Sequence, residues 1–147
     1  MKTNGVLNSE LIKVMATMGH GDLLAITDRG FPFPLHDKTA KIDLSVTKDL
    51  PAFIDVVRPV VEDFEIEEAI IAEESKTMCP EIHQELLKIL SKKKNKGNDI
   101  RIKYIPHAEF KELLMHGAEK NEPVACFVKT GSFIPFANVI LVSSVPF

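Results

Sequence analysis

The sequence is poor in several features that would each announce a chemistry. Only two cysteines occur, Cys79 and Cys126, far apart and with no second thiol near either. That spacing supplies neither a zinc cluster nor a CxxC redox pair, and two isolated thiols suit a reducing compartment. No apolar run approaches the ~20 residues that span a bilayer. The stretch from Met1 to Lys13 is polar and lacks the apolar centre of a secretory leader. A cytoplasmic location is therefore expected. Net charge is only −3, which offers no basic face to nucleic acid or to an anionic membrane surface. Glycine-rich phosphate loops, nucleophile elbows and clustered metal ligands are also missing, so neither a metal nor a cofactor is expected. Nor is there an internal repeat, a low-complexity segment or an interdomain linker. A chain of 147 residues is then expected to fold as one domain, residues 1–147, with a proper core.

What is present is an alternation of two periodicities. Asn8-Ser9 followed by Leu11, Ile12, Met15 and Met18 predicts a capped amphipathic helix, with Ser9 as N-cap and Gly19 as its stop. Leu23–Thr27 and Lys41–Val46 read as strands. Pro51 suits the first position of a helix whose apolar face is Phe53, Ile54, Val56, Val57, Val60 and Val61, and Pro59 is expected to kink or end it. Ile66–Ala72 is apolar on both sides towards its end, as a strand covered by helices is. Pro80 opens a helix with Ile82, Leu86, Leu87 and Leu90 inward. The basic run Lys92–Lys96 reads as cations at that helix's C-terminus followed by a solvated turn. Strands over Asp99–Ile105, Val124–Val128 and Ala137–Val142, with a short helix over His107–His116, complete the series. The expected fold class is α/β, a three-layer sandwich with a mixed, mostly parallel central sheet flanked by helices.

The stretch with the most chemistry runs from Gly19 to Pro34, GHGDLLAITDRGFPFP. A glycine-flanked histidine, His20, precedes a buried strand, and Asp28 follows it. Gly30, Pro32 and Pro34 then hold an extended loop that no helix can occupy. His107 follows a strand and a proline, at a strand end, where open α/β sheets place ligands. Asn138 stands at the start of an apolar strand, an unusual place for an amide, which must find partners there. Glu73 and Glu74 end a buried strand, either lining a pocket or opening a helix. His36, His83 and His116 read as surface residues.

The pattern Gly-His-x-Asp-x-Leu-x-Ile-x-Asp-x-Gly-x-Pro-x-Pro resembles the D-ribose pyranase family and the related L-fucose mutarotases. The likeness continues through Lys41-Ile42-Asp43-Leu44, Val46-Thr47, Ala72-Glu73-Glu74 and Pro135-Phe136-Ala137-Asn138-Val139-Ile140-Leu141. The two ends, Val6–Glu10 and Val145-Pro146-Phe147, take part as well. The resemblance implies a general acid at His20, a sugar-hydroxyl ligand or a residue holding the site's geometry at Asp28, a substrate-binding role for His107, and a substrate-contacting segment Phe136-Ala137-Asn138. It further implies a monosaccharide substrate, D-ribose, and a closed homo-oligomer, a decamer or pentamer, with sites at subunit boundaries. The apolar terminus and the loop residues Phe31, Phe33 and Phe133 point the same way, since a lone domain has little to bury them. The chain departs from the family at Phe136, where a tyrosine is usual, at Ser132 for a common glutamate, and at Arg29 for a small residue.

Interconverting pyranose and furanose rings requires opening to the aldehyde, with one proton removed from the anomeric hydroxyl and one delivered to the ring oxygen. Histidine suits that exchange near neutral pH. The readings set against an isomerase are a monosaccharide-binding or regulatory protein of the same fold, a mutarotase for another sugar such as L-fucose, and a purely structural oligomer component.

Overall fold

The computed structural model describes residues 1–117 and 124–147. Its first helix, α1 (Ser9–Thr17), leads into β1 (Leu23–Thr27) and β2 (Ala40–Asp43). The helix α2 (Phe53–Asp63), the strand β3 (Ile66–Ala72), the short turn of helix α3 (Ser75–Met78) and α4 (Pro80–Lys92) follow. A small hairpin, β4 (Lys94–Asn95) and β5 (Asn98–Asp99), precedes β6 (Arg101–Ile105) and α5 (His107–His116). The last strands are β7 (Cys126–Lys129) and β8 (Val139–Ser143).

Six strands make one sheet in the order β2-β7-β1-β8-β3-β6. Only β8 runs against its neighbours, antiparallel to both β1 and β3, and the other pairs are parallel. The period of two divides each strand between two apolar layers. Leu24, Ile26, Ala69, Ile71, Cys126, Val128, Val139 and Leu141 face one layer, filled by Leu11 of α1, the valines of α2 and Leu86 and Leu90 of α4. Ala25, Ile70, Ala72, Phe127 and Ile140 face the other, closed by Phe110 and Leu114 of α5 and by Phe31. The fold is thus a three-layer α/β sandwich with a mixed, mostly parallel sheet. Among the described residues no helix is long and apolar enough to cross a membrane.

Several local expectations are corrected. The N-cap of α1 is Asn8, whose side chain accepts the Leu11 N–H. Pro51 lies in the turn before α2, which starts at Phe53. There the Asp55 carboxylate accepts the N–H of Ala52. Pro59 does not end that helix, which runs on to Asp63: burial of Val56, Val57, Val60 and Val61 outweighs one missing hydrogen bond. The basic run continues into the β4–β5 hairpin, where Lys94 pairs with Asp99 and Lys93 with Glu65, so β6 begins only at Arg101.

His83 is buried, not a surface residue, and its Nε2 lies 2.8 Å from the Tyr104 hydroxyl. It occupies the inward stripe of α4 with Leu86 and Leu90, three and seven residues on. Burial pushes the imidazole below its ordinary pKa and the Tyr104 hydroxyl above its own. The apolar end of the chain is also not an exposed patch. It forms β8, between β1 and β3, and only the last two residues, Pro146 and Phe147, stand out, Phe147 at 89% exposed. Phe31 folds back onto its own chain, edge-on to Phe110 and tilted against Phe127, while Phe133 remains 60% exposed.

Candidate active site

The topology sorts the polar residues between the two edges of the sheet. At the edge where the parallel strands end, Asp28 follows β1, Glu73 and Glu74 follow β3, His107 follows β6, Thr130–Ser132 follow β7, and Phe136–Asn138 enter β8. His20 lies at the opposite edge, before β1. With five residues of strand between them at ~3.3 Å each, the two edges are roughly 17 Å apart. Asp28, His107 and Asn138 therefore share one neighbourhood, and His20 of the same chain stands away from it.

The centre of that neighbourhood is a buried side-chain pair. The Asn138 Nδ2 donates to Asp28 Oδ2 at 3.0 Å, and its Oδ1 accepts the Asp28 backbone N–H at 2.9 Å. The other carboxylate oxygen of Asp28 accepts the N–H of Gly30 at 2.8 Å. Asn138 is 2% exposed and Asp28 8%. The amide that looked out of place at a strand start thus fixes the aspartate from behind, across the β1–β8 pairing. It does not itself line the cleft. Ala137, 1% exposed, is part of the packed support.

In front of this pair lies a cleft of about 320 Å³ lined by Asp28, Gly30, Phe31, Pro32, His107, Lys111, Pro135 and Phe136. His107 is the first residue of α5, and its backbone N–H donates to Glu74 Oε2 at 2.9 Å. Its ring stands edge-on to Phe136 at 4.8 Å and parallel to Phe110 at 6.4 Å. The His107 Nδ1 is buried with no hydrogen-bond partner among the described residues. Such an atom calls for a polar partner. Phe136 has φ of +65°, a conformation that bulky side chains rarely adopt. Its carbonyl is held there by the Ser75 hydroxyl at 3.0 Å and the Asn138 N–H at 2.9 Å.

A second hollow, about 240 Å³, continues past Asp28 and Gly30 to Arg29, Ser132, Phe133 and Pro135. Arg29 donates to the carboxylate of Asp43 and to the Ser45 hydroxyl, which in turn donates to the Thr130 carbonyl. Burial opposes ionisation of Asp43, but the Arg29 guanidinium and the Ser45 backbone and hydroxyl donors outweigh it and hold the carboxyl at about 2. Burial, and then the charge of Arg29, lowers the pKa of Lys129, whose Nζ sits 4.1 Å over the Phe33 ring. Gly131 is required by close approach, because a Cβ there would meet Leu50 and Thr47 backbone atoms at 2.7 Å.

His20 sits in a turn pinned to β8. Gly21 N–H donates to the Ser143 carbonyl, and the Asp22 carboxylate accepts the Gly19 N–H. Gly21, at φ of +86°, is needed for that turn. The His20 side chain is 59% exposed, with Nε2 3.1 Å from Glu67 Oε2.

The model of the RbsD / FucU transport protein family matches residues 1–146 of this chain. The chain belongs to that family. It is 41% identical over 148 residues to the D-ribose pyranase of Aliivibrio fischeri strain MJ11, covering all of both chains. It is 43% identical over 147 residues to the D-ribose pyranase of Staphylococcus epidermidis, again over both full lengths. Among solved structures, Bacillus subtilis RbsD complexed with D-ribose superposes with a TM-score of 0.82 at 37% identity, covering all of both chains. The fucose mutarotase of Streptococcus pneumoniae in complex with L-fucose shares the fold, with a TM-score of 0.70 at 20% identity over 94% of this chain and 93% of that one.

Sequence reasoning identified Asp28, His107 and the Phe136–Asn138 segment, which the fold brings together. It missed Lys111, one helical turn after His107 on α5 and therefore on the same face, a signal that i, i+4 spacing offered. Of the two glutamates left open, Glu74 serves the site by holding the start of α5, and Glu73 pairs with Lys76 at 2.7 Å.

Proposed function

We propose that the protein is a D-ribose pyranase, an isomerase that interconverts the pyranose and furanose rings of D-ribose through the open-chain aldehyde. The observation that carries the reading is the Asp28–Asn138 pair at the wall of a cleft that also holds His107, with its buried, unpartnered Nδ1. Full-length identity of about 40% to D-ribose pyranases supports the same conclusion.

The chemistry follows from these groups. Asp28 accepts hydrogen bonds from sugar hydroxyls through its carboxyl oxygens and is kept facing the cleft by Asn138. The His107 imidazole meets a further hydroxyl, and Phe31 and Phe136 present apolar walls to the sugar's carbon face. Ring opening moves a proton off the anomeric hydroxyl while the ring oxygen gains one. Closure by a different hydroxyl gives the other ring size, and the protons return. Histidine can give and take a proton near neutrality, and we assign the acid role to His20.

Because His20 stands at the edge opposite Asp28, that role needs a second copy of the chain to bring its His20 edge to this cleft. We therefore read the protein as a closed homo-oligomer, a decamer or pentamer, in which each site is shared. The exposed Phe133 and Ile134, between the end of β7 and the start of β8, suit such an interface. The single domain spanning residues 1–147 and a cytoplasmic location complete this reading.

Saturation-transfer NMR between the anomeric signals of D-ribose tests the function. Added protein should accelerate pyranose–furanose exchange at catalytic concentration. Binding of ribose without acceleration would leave a sugar-binding protein instead.

A further inference from the structure

We infer that Glu67 is a positioning residue for His20, fixing its tautomer so that Nδ1, not Nε2, exchanges protons with the sugar; this rests on His20 being the acid of the reaction above. His20 Nε2 and Glu67 Oε2 are 3.1 Å apart. A carboxylate can only accept, so Nε2 carries the hydrogen and Nδ1 is left with the lone pair. The two groups come from different elements, the turn before β1 and the start of β3, 47 residues apart in the chain.

The carboxylate is itself restrained. Its Oε1 lies 3.7 Å from Arg101 Nη2 at the start of β6, and the Arg101 Nε pairs with Glu68 at 3.4 Å. Glu67 is 28% exposed against 59% for His20 and 68% for Arg101. It is therefore the most enclosed member of an Arg–Glu–His chain that has the imidazole at one end. Arg101 from β6 lies between Glu67 and Glu68 of β3, and Asp22, in the same turn as His20, is occupied with the Gly19 N–H. Among the described residues only Glu67 is paired with the ring. An orienting carboxylate behind a histidine fixes which nitrogen faces outward and steadies the cation that forms during proton transfer. Here it also leaves the ring exposed, as it must be to serve a site completed by another copy.

The test uses the full-length protein with D-ribose exchange by NMR, together with ¹H–¹⁵N spectra of the histidine rings. The wild type should show His20 as the Nε2–H tautomer. Glu67→Met removes the acceptor and should give a tautomer mixture and at least a tenfold lower kcat, with KM within about twofold. Glu67→Gln keeps an acceptor oxygen but sets its amide against Arg101, and should recover part of the rate. His20→Ala should be slow, and adding Glu67→Met to it should slow it no further.

An Nδ1–H tautomer in the wild type overturns the inference without any variant. A slow His20→Ala beside a Glu67→Met of wild-type rate and tautomer overturns it while leaving the role of His20 standing. Equal slowing by Glu67→Met in the presence and absence of His20 overturns it too. A fast His20→Ala removes the acid assignment itself, and the inference with it.

Discussion

Replacing Asn138 by aspartate changes almost no volume, yet it puts a second carboxylate 3.0 Å from Asp28 Oδ2, where the amide nitrogen now donates. Two unit charges at 3.0 Å and an effective dielectric constant of ~20 repel by about 5.5 kcal/mol. The protein has another course, which is to keep one proton shared between the two carboxyls. Holding a proton at pH 7 on a group that ordinarily loses it near ~3.9 costs about 4 kcal/mol, at ~1.36 kcal/mol per pH unit. The second course is the cheaper, so Asn138→Asp should lose about 4 kcal/mol of stability at pH 7. Both residues are nearly buried, so solvent screens little of this.

The sign of the pH dependence then follows. The folded variant binds one proton more than its unfolded chain between pH 7 and about 4, so its stability rises as the pH falls, by ~1.4 kcal/mol per unit. Urea unfolding of both proteins at pH 7 and pH 5, at equal protomer concentration, reads this directly. The gap between wild type and variant should shrink by about 2–3 kcal/mol at pH 5. An unchanged gap would refute the direct Asp28–Asn138 bond on which the site is built.

Phe136→Tyr should raise ribose affinity or exchange rate several-fold, since a restored hydroxyl adds a hydrogen bond worth ~0.5–1.5 kcal/mol; an unchanged or slower enzyme would show that Phe136 serves as packing. Arg29→Ala should destabilise the protein at neutral pH but not in strong acid. The depressed Asp43 carboxyl contributes stability that is present above its ordinary 3.8 and lost as the pH falls toward about 2, so acid-unfolding curves of the two proteins should separate above pH 4 and converge below that window. Neither thiol should react with Ellman's reagent at pH 8 in the native protein, because burial pushes Cys126 up to about 12 and raises Cys79 as well. A fast native reaction would contradict the packing of β7 or of the start of α4.

The parts of this molecule that follow from local periodicity were readable in the sequence. The strands Leu23–Thr27 and Ile66–Ala72 and the helix His107–His116 have the expected ends, because a clean apolar pattern meets a turn residue at each. What failed depended on long-range partners. His83 looks like any helix histidine until Tyr104 is placed beside it. Pro59 looks like a helix breaker until α2 packs on the sheet. Phe31 looks exposed until α5 closes over it. The site was legible as residue types, but not its division. Nothing in the spacing of His20 and Asp28 says that a strand holds them at opposite edges, and the Asn138 bond to Asp28 spans 110 residues.

That division is the centre of the account, and mixing two inactive variants tests it most directly. His20→Ala lacks the acid but keeps an intact cleft, and His107→Ala keeps the acid but lacks the cleft histidine. Unfolded together and refolded as mixed assemblies, they should pair a good His20 edge with a good cleft in about one site of four, restoring roughly a quarter of the wild-type exchange rate. Mixed assemblies as inactive as either parent would contradict a site shared between two copies of the chain.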